Sequence, residues 1–292
     1  MELLSTWQSV VFAGLSLGSF YALIALGFSL ILGITRAFNL AHGEMILLSG
    51  YLAFMLWRYL HLPFFWILLV CSLALMWLTL PLHYLLRRLP EPPGLNTLMV
   101  TLGLALVLQN LFLSWFSADY RLMKPDWPGI TIPGLNLSFP ARQGLLIILA
   151  LLATGTVHLV LQHTFLGKAL RATIQDRDAA QVAGINVHRM ALVAFGLGGL
   201  LTGLAGPLFA QNLYLYPAAG AEATMIAIVV TIFAGLGRTG AILLGGWLLG
   251  LAQSAAVFTL GSKWRELVSS ALLILLLYFR PEGIALKKEH GN

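Results

Sequence analysis

The sequence predicts an all-α polytopic membrane protein with eight or nine transmembrane helices. Only 10% of its 292 residues are charged and 59% are hydrophobic, whereas ordinary soluble domains carry about 25% charged residues. A surface with so few charges cannot face water, and the mean hydropathy of +0.87 agrees with a lipid surrounding. Apolar runs of about 20 residues, the length that crosses a bilayer as a helix, recur along the chain.

The candidate spans follow one another without a soluble-domain linker, so residues 1–292 are predicted to form one transmembrane domain in the lipid bilayer. The spans lie near 10–34, 39–59, 62–86, 96–116, 142–163 and 188–212, then in a stretch at 222–260 interrupted by GLGRTG (235–240), and finally at 264–279. Whether 222–260 forms one element or two decides between eight and nine spans.

The basic residues predict how the chain is oriented. With nine spans and the connection 164–189 in the cytoplasm, eleven of the 17 Lys and Arg residues fall on the cytoplasmic side. This is the bias of the positive-inside rule, and it predicts an outer N-terminus and an inner C-terminus. The basic residues form no stripe with interleaved aromatics, so the net charge of +6 does not indicate nucleic-acid binding.

The N-terminus and the single cysteine carry no functional signal. No Lys or Arg precedes Arg36, so the basic region of a cleaved secretory signal is not expected. Cys71 lies inside an apolar run, where it makes no internal disulfide and no cysteine-based metal site, and it is predicted to be a small buried side chain.

Two connections are long enough to have structure of their own. The segment 117–141 is predicted to face outward, and its alternating stretch ITIPGLNLSF (130–139) predicts a short cap or hairpin. The segment 164–189 is polar, is placed on the cytoplasmic side, and is rich in helix-forming residues. It is therefore predicted to contain a short helix.

Small residues mark helix-packing faces. Gly14 and Gly18 belong to a stripe of small residues along the first span, and Gly199 and Gly203 belong to a similar stripe in the sixth. Small residues let membrane helices approach closely, because lipid provides no hydrophobic drive for helices to associate. The stripes are interpreted as close packing, with the alternative that some of them slide or line a path.

The stretch NLAHGE (39–44) places ionisable groups at the start of an apolar run. Asn39 is predicted to cap the helix that follows, near the cytoplasmic end of the span. His42 and Glu44 are two residues apart and should point to different faces, which does not favour a zinc site. One interpretation is a capped helix start with satisfied polar groups; the other is a role in a translocation pathway or gate.

The stretch DAAQVAG (178–184) offers a surface of small residues between charged flanks. Such a surface can receive a closely packed partner. The alternative is an ordinary solvated helix in a connecting loop.

Five stretches together resemble the permease subunits of branched-chain amino acid ABC importers, of the smaller H-type kind. They are GLSLGSFYALIALGFSLILGITRAFNLAHGEMILLSGY (14–51), GKALRATIQDRDAAQVAGINVHR (167–189), GLGGLLTGLAGPLFA (196–210), TIFAGLGRTGAILLGGWLLG (231–250) and RPEGI (280–284). DAAQVAG is similar to the EAA-x-x-x-G signature of importer permeases, with Asp178 in place of Glu and without the I-x-L-P ending.

The resemblance implies the ABC importer permease architecture in a bacterial inner membrane. It implies as partners a second homologous permease subunit, two ATP-binding cassette subunits and a periplasmic substrate-binding protein. It also implies that the segment 164–189 is a cytoplasmic coupling segment for the ATPase. The residues assigned to this coupling are Gly167, Arg171, Asp176, Asp178, Ala179, Ala180 and Gly184.

The substrate implied by the resemblance is leucine, isoleucine or valine. Such a zwitterion needs an apolar path with few charges, and a carboxylate can attract its ammonium group. The expected pathway or gate residues are Asn39, His42 and Glu44 on the cytoplasmic side and Glu222 on the outer side. A permease for urea or short amides remains an alternative, as does pairing with a second copy of the same chain.

The chain is expected to be neither an ATPase nor an enzyme. It contains no G-x-x-x-x-G-K-[ST] phosphate-binding loop, so ATP would be hydrolysed by partner subunits, and no cofactor or metal is expected on this chain. An ATP-independent channel leaves the segment 164–187 unexplained. A membrane enzyme using His42 and Glu44 lacks a third convergent catalytic group.

Overall fold

The structure is a computed structural model that describes residues 2–89, 93–125, 127–132, 137–235 and 239–279. RPEGI and Arg238 of GLGRTG lie outside the described residues. The described chain forms α1 (Glu2–Thr35), α2 (His42–Leu60), α3 (Phe64–Arg87), α4 (Pro93–Phe116), β1 (Gly129–Ile132), β2 (Leu137–Pro140), α5 (Ala141–His163), α6 (Phe165–Gln175), α7 (Arg177–Val182), α8 (Val187–Asn212), α9 (Ala219–Ala234), α10 (Thr239–Leu260), a short 3-10 helix (Ser262–Trp264) and α11 (Arg265–Phe279).

The all-α prediction is confirmed, and each apolar run of the sequence forms a helix. The stretch 222–260 forms two helices, α9 and α10. Six helices of the described chain are long and apolar enough to cross a membrane: α1, α3, α4, α5, α8 and α10. The helices α2, α9 and α11, with 19, 16 and 15 residues, fall outside that group, so eight or nine spans are not confirmed.

The helix α1 forms the centre of the molecule, and 94% of its most apolar 18-residue stretch is buried. It packs along α10 and α8 because glycines remove the side chains that would hold the helices apart. A methyl group at Gly18 would lie 2.6 Å from the Cα of Trp247, and one at Gly14 would lie 2.9 Å from the Cα of Leu251.

A second close contact joins α8 to α3. A methyl group at Gly199 would overlap the hydroxyl of Thr79, and one at Gly203 would overlap the carbonyl of Cys71. The Thr79 hydroxyl donates to the carbonyl of Phe195 at 2.9 Å. Such a hydrogen bond between helices gives the hydroxyl a partner that lipid chains cannot provide.

The two ends of the helix bundle carry different structures. At one end, called here the hairpin end, β1 and β2 pair antiparallel with Gly129 opposite Pro140, as the alternating pattern predicts. Phe139 stacks on Phe12 of α1. At the other end, called here the α6–α7 end, the guanidinium of Arg36 donates to the carbonyl of Gln175 at 3.4 Å. The helix α1 therefore runs from the hairpin end to the α6–α7 end.

The connection 164–189 contains two helices rather than the one short helix predicted. The chain is extended at Asp176 (φ −148°), where α6 ends. The Asp176 carboxylate then accepts hydrogen bonds from the backbone N–H groups of Asp178 and Ala179, both at 3.0 Å. An aspartate in this position begins a new helix, which is why the run of helix-forming residues is divided.

Candidate functional site

The start of α2 differs from the sequence prediction. The helix begins at His42 after Ala41, so Asn39 is not its N-cap. The Asn39 Oδ1 instead accepts a hydrogen bond from the backbone N–H of Ala41 at 3.1 Å, which stabilises a turn before the helix. Asn39 is buried, and its Nδ2 has no hydrogen-bond partner among the described residues.

His42 contacts the middle of α1 rather than the end of it. Its Nε2 lies 3.1 Å from the carbonyl oxygen of Ile24, and its ring lies edge-on to Phe28. Ile24 stands eleven residues before the end of α1 at Thr35, which is about 16 Å of helix. The chain after α1 therefore turns back into the molecule before α2 begins, and the predicted position at the cytoplasmic end of the span is wrong.

Glu44 is buried against the start of α9. Only 2% of the residue is exposed, and a methyl group at Gly220 would overlap its carboxylate. The Oε2 of Glu44 has no hydrogen-bond partner within the described parts of the chain. An ionised carboxylate in such a place requires a cation or hydrogen-bond donors to compensate its burial.

The starts of α2 and α9 are joined by hydrogen bonds. The backbone N–H of Gly43 donates to the Thr224 hydroxyl at 2.8 Å, and Thr224 lies 3.3 Å from the carbonyl of Leu40. His42 faces α1 while Glu44 faces α9, as their spacing predicts. Two helix N-termini, which carry partial positive charge, thus meet inside the protein.

Glu222 lies two residues after the glycine that contacts Glu44. The sequence predicts the two acids on opposite sides of the membrane, but the structure places both at the first turn of α9. The Glu222 carboxylate accepts a hydrogen bond from the Tyr216 hydroxyl. It lines a cavity of about 490 Å³ at the hairpin end, whereas Glu44 faces the interior.

The helix α7 is largely exposed at the α6–α7 end. Val182 is 91% exposed, and the side chains of Asp178 and Ala179 are also exposed. Ala180, in contrast, is buried, so it is not part of the small-residue surface that the sequence predicts. Asp176 has the structural role of capping α7.

Gly184 ends α7 in a conformation that favours glycine. Its φ is +83°, its N–H donates to the carbonyl of Gln181, and the N–H of Ile185 donates to the carbonyl of Ala180, both at 3.0 Å. This pair of bonds is the Schellman motif of helix C-termini. The space around the Gly184 Cα is open.

The helix α6 is fixed against the end of α5. The Thr164 hydroxyl accepts from the N–H of Gly167 at 3.0 Å, and a methyl group at Gly167 would overlap the carbonyl of Val160. Arg171 donates to the side chain of Gln162 at 2.8 Å. Gly167 and Arg171 therefore attach α6 to the helix bundle, and α7 projects beyond them.

The architecture matches a known permease family. The family model for the branched-chain amino acid transport system permease component matches residues 10–277. The chain belongs to this family.

Individual permeases of the family are similar over nearly their whole length. The high-affinity branched-chain amino acid transport system permease protein LivH of Escherichia coli K12 is 29% identical over 291 residues, covering 94% of each chain. BraD of Pseudomonas aeruginosa, a permease protein of the same description, is 28% identical over 289 residues, 93% of each chain. The probable LivH of Methanocaldococcus jannaschii is 27% identical, covering 90% of this chain and 87% of its own. No solved structure matches this chain.

Membership of this family makes the chain a multi-pass membrane protein with a transport role rather than an enzyme. Within the residues that the structure describes, no three His, Cys, Asp or Glu side chains form a group able to hold a metal ion. Glu44 is therefore a buried acid of a membrane transport domain, and it lies where the N-terminal ends of α2 and α9 meet.

Sequence reasoning missed several polar residues that share the cavity with Glu222. They are Arg265 of α11, Tyr21 of α1 and Gln253 of α10. The Tyr21 hydroxyl donates to the Gln253 side chain at 2.6 Å, and Gln253 donates to the Ser269 hydroxyl. An isolated Gln inside an apolar run of α10 was the available signal, since a polar side chain in a membrane helix is costly without a partner.

Proposed function

We propose that the chain is a permease subunit of an ATP-driven importer that carries branched-chain amino acids into the cytoplasm. The observation that carries the proposal is the family match over 10–277, together with permease relatives that align from end to end and whose names specify branched-chain amino acid transport. The single transmembrane domain fits this assignment, because an importer permease provides the path of the substrate across the membrane while its partner subunits hydrolyse ATP.

The proposed membrane domain has nine passes. The helices α2, α9 and α11 complete the six longer spans, and α2 and α9 begin inside the protein rather than at its surface. Discontinuous helices of this kind are tolerated in membranes where protein surrounds their ends. The hairpin end, with the segment 117–141, faces outward in this proposal, and the α6–α7 end faces the cytoplasm.

The helix α7 is proposed to dock on the ATP-binding cassette subunit. Val182 is exposed at the end of the short capped helix α7, and its exposed neighbours Asp178, Ala179 and Gly184 are small enough to let a partner surface approach closely. The assembly would contain a second homologous permease, two ATPase subunits and a substrate-binding protein. Gly167, Arg171 and Asp176 would transmit movement of α7 to α5 because they fix its base.

The meeting point of α2 and α9 is proposed to be a gate. Asn39 and Glu44 each bring to it a polar atom that has no hydrogen-bond partner among the residues the structure describes, and His42 connects it to α1. A zwitterion passing this point would offer an ammonium group to Glu44 and a carboxylate to the helix N-termini. Glu222 is proposed to act on the outer side of the same helix start.

The assembly is tested by purifying the tagged chain from its native host in mild detergent and identifying the proteins that accompany it. We expect a second permease and an ATPase subunit, and after reconstitution into vesicles with the binding protein we expect ATP-dependent uptake of leucine, isoleucine and valine. A chain that purifies alone and conducts solute without ATP would contradict the proposal. Uptake of urea but not of leucine would show that the importer carries urea and not branched-chain amino acids.

The docking role of α7 is tested with Val182→Asp. We expect this variant to lose the ATPase subunit during purification, because a charge would be placed in the buried centre of the contact. Ile130→Asp is the matched control: it introduces the same charge at an exposed apolar residue of β1, at the hairpin end. Equal retention of the ATPase by both variants would remove the docking assignment.

A further inference from the structure

The cavity of about 490 Å³ at the hairpin end is formed by separate parts of the chain. Its walls come from α1, α8, α9, α10 and α11 and from the segments before β1 and between α8 and α9. A cavity with walls from so many elements changes shape when those helices move. It is therefore suited to a ligand that is bound and released as the transport domain changes conformation.

The charged residues of this cavity are one acid and one base. Among its lining residues within the described ranges, only Glu222 and Arg265 are ionisable with charge at neutral pH. They belong to different helices, since Glu222 lies in the first turn of α9 and Arg265 is the first residue of α11. A ligand between them can face a carboxylate with one group and a guanidinium with another.

The remaining walls are mostly apolar. Phe20 and Phe209 lie edge-on to each other with ring centroids 5.6 Å apart, and Ile226 and Met225 of α9 line the cavity next to Glu222. Aromatic and aliphatic walls with a few oriented polar groups are typical of small-molecule sites. The apolar part can receive an aliphatic side chain.

Neutral polar groups lie across one side of the cavity. Tyr21, Gln253 and Ser269 form a chain of hydrogen bonds from α1 through α10 to α11. This chain fixes the side-chain amide of Gln253 in an otherwise apolar surrounding. Gln253 and Arg265 also line a second cavity of about 260 Å³, so the two cavities adjoin at these residues.

We propose that this cavity is a binding site for the zwitterion of an aliphatic α-amino acid. The guanidinium of Arg265 receives the α-carboxylate, for which its planar pair of N–H donors is suited, and the carboxylate of Glu222 receives the α-ammonium. The aliphatic side chain lies against Phe20, Phe209 and Ile226. The proposal rests on the proposed function, and it adds a recognition site within this chain to the specificity of the binding protein.

Two charges of opposite sign distinguish this ligand from the alternatives. Urea and short amides carry no charge, so a site for them does not need an acid and a base in an apolar cavity. An amine or a carboxylic acid alone would pair with one of these two exposed side chains. A zwitterion pairs with both at once.

The test uses the assembled importer in lipid nanodiscs, without its binding protein, and measures binding of three ligands by calorimetry. They are leucine, leucinamide, which lacks the carboxylate, and 4-methylpentanoate, which lacks the ammonium group. Glu222→Gln and Arg265→Gln are each compared with wild type. Lys263→Gln is the matched control, because Lys263 is exposed and is not among the residues that line the cavity.

Each substitution is expected to weaken leucine binding about tenfold to a hundredfold, the range for losing a charged hydrogen bond. Glu222→Gln should leave the affinity for 4-methylpentanoate unchanged, and Arg265→Gln should leave that for leucinamide unchanged. Arg265→Lys should recover part of the leucine affinity. Lys263→Gln should bind all three ligands like wild type.

The proposed site would be overturned if neither Glu222→Gln nor Arg265→Gln changed the affinity for leucine. It would also be overturned if an importer that transports leucine showed no leucine binding in this assay. Both results leave the proposed function intact, because ATP-dependent leucine uptake is measured on the same preparation. An assembled wild-type complex that hydrolyses ATP but does not transport leucine would overturn the proposed function instead. A variant that fails to assemble is replaced by Ser269→Ala, which removes one member of the polar chain without changing charge and should weaken leucine binding.

Discussion

The contact between α1 and α10 gives a sharp prediction for Gly18→Ala. A methyl group at Gly18 would lie 2.6 Å from the Cα of Trp247, whereas ordinary van der Waals contact begins at 3.4 Å. The two helices would have to separate by about 0.8 Å, because the obstructing atoms belong to the backbone and cannot rotate away. The loss of contact would extend to Gly14, where α1 is also close to α10.

The magnitude follows from two opposing effects. Overpacking of a tight contact costs about 1–3 kcal/mol, while replacing Gly by Ala within a helix favours folding by up to about 1 kcal/mol. Because the obstructing atoms are backbone atoms, the cost is taken from the upper part of that range, about 2–3 kcal/mol, and the net expected loss is about 1–2 kcal/mol. At roughly 2–4 °C per kcal/mol for a large domain, the midpoint of thermal unfolding should fall by about 2–8 °C.

The assay is thermal unfolding of the purified chain in detergent, followed by tryptophan fluorescence. Gly155→Ala is the control, because Gly155 is exposed on α5 and a methyl group there meets no atom within 4 Å. Its midpoint should stay unchanged or rise, since only the helix propensity changes. Equal midpoints for the two variants would refute the argument that close approach at Gly18 holds α1 against α10.

Three further predictions concern separate parts of the molecule. Glu44→Gln should raise the thermal midpoint, because it removes a buried acid whose Oε2 has no hydrogen-bond partner in the described parts of the chain. It should also lower leucine uptake, and unchanged uptake would remove the gate assignment. Gly184→Ala should destabilise the end of α7 by about 1–2 kcal/mol and reduce the coupling of ATP hydrolysis to transport. Gly184→Asn should retain more of this coupling, because Asn tolerates positive φ. Equal coupling in both variants would show that the positive φ of residue 184 is unimportant. Cys71 of α3 is fully buried and should react with a maleimide only after unfolding in SDS, so rapid labelling of the native chain would contradict the burial of its thiol against Ser49 of α2.

The sequence predicts the helices of this protein well because bilayer spans leave a strong local signal. A run of about 20 apolar residues can satisfy its backbone in lipid only as a helix, so the positions of α3, α5 and α8 follow from composition alone. The sequence left open whether GLGRTG divides the stretch 222–260, and the structure divides it into α9 and α10. The alternation of ITIPGLNLSF predicts a cap or a hairpin, and the structure forms the hairpin.

The predictions that are wrong concern how helix ends meet. Asn39 has the residue type of an N-cap, but α2 begins at His42 because the turn after α1 carries the chain back beside Ile24. The connection 164–189 is one polar run in sequence, and the extended backbone at Asp176 divides it. The first outcome depends on a contact with a residue in the preceding helix, whereas the second depends on a local cap, in which the Asp176 carboxylate accepts from the N–H groups of Asp178 and Ala179.

The sequence by itself determined the membrane class, the order of the apolar helices and the resemblance to a permease family, because these depend on composition and on residue types at fixed spacing. Only the tertiary structure decided that Glu44 and Glu222 occupy opposite sides of one helix start, and that Arg265 lies beside the same cavity as Glu222. The reason is that a continuous run of about 20 apolar residues specifies that a helix forms, but it does not specify which neighbours that helix meets. The depth at which two helices cross is set by the shapes of all the surfaces in contact.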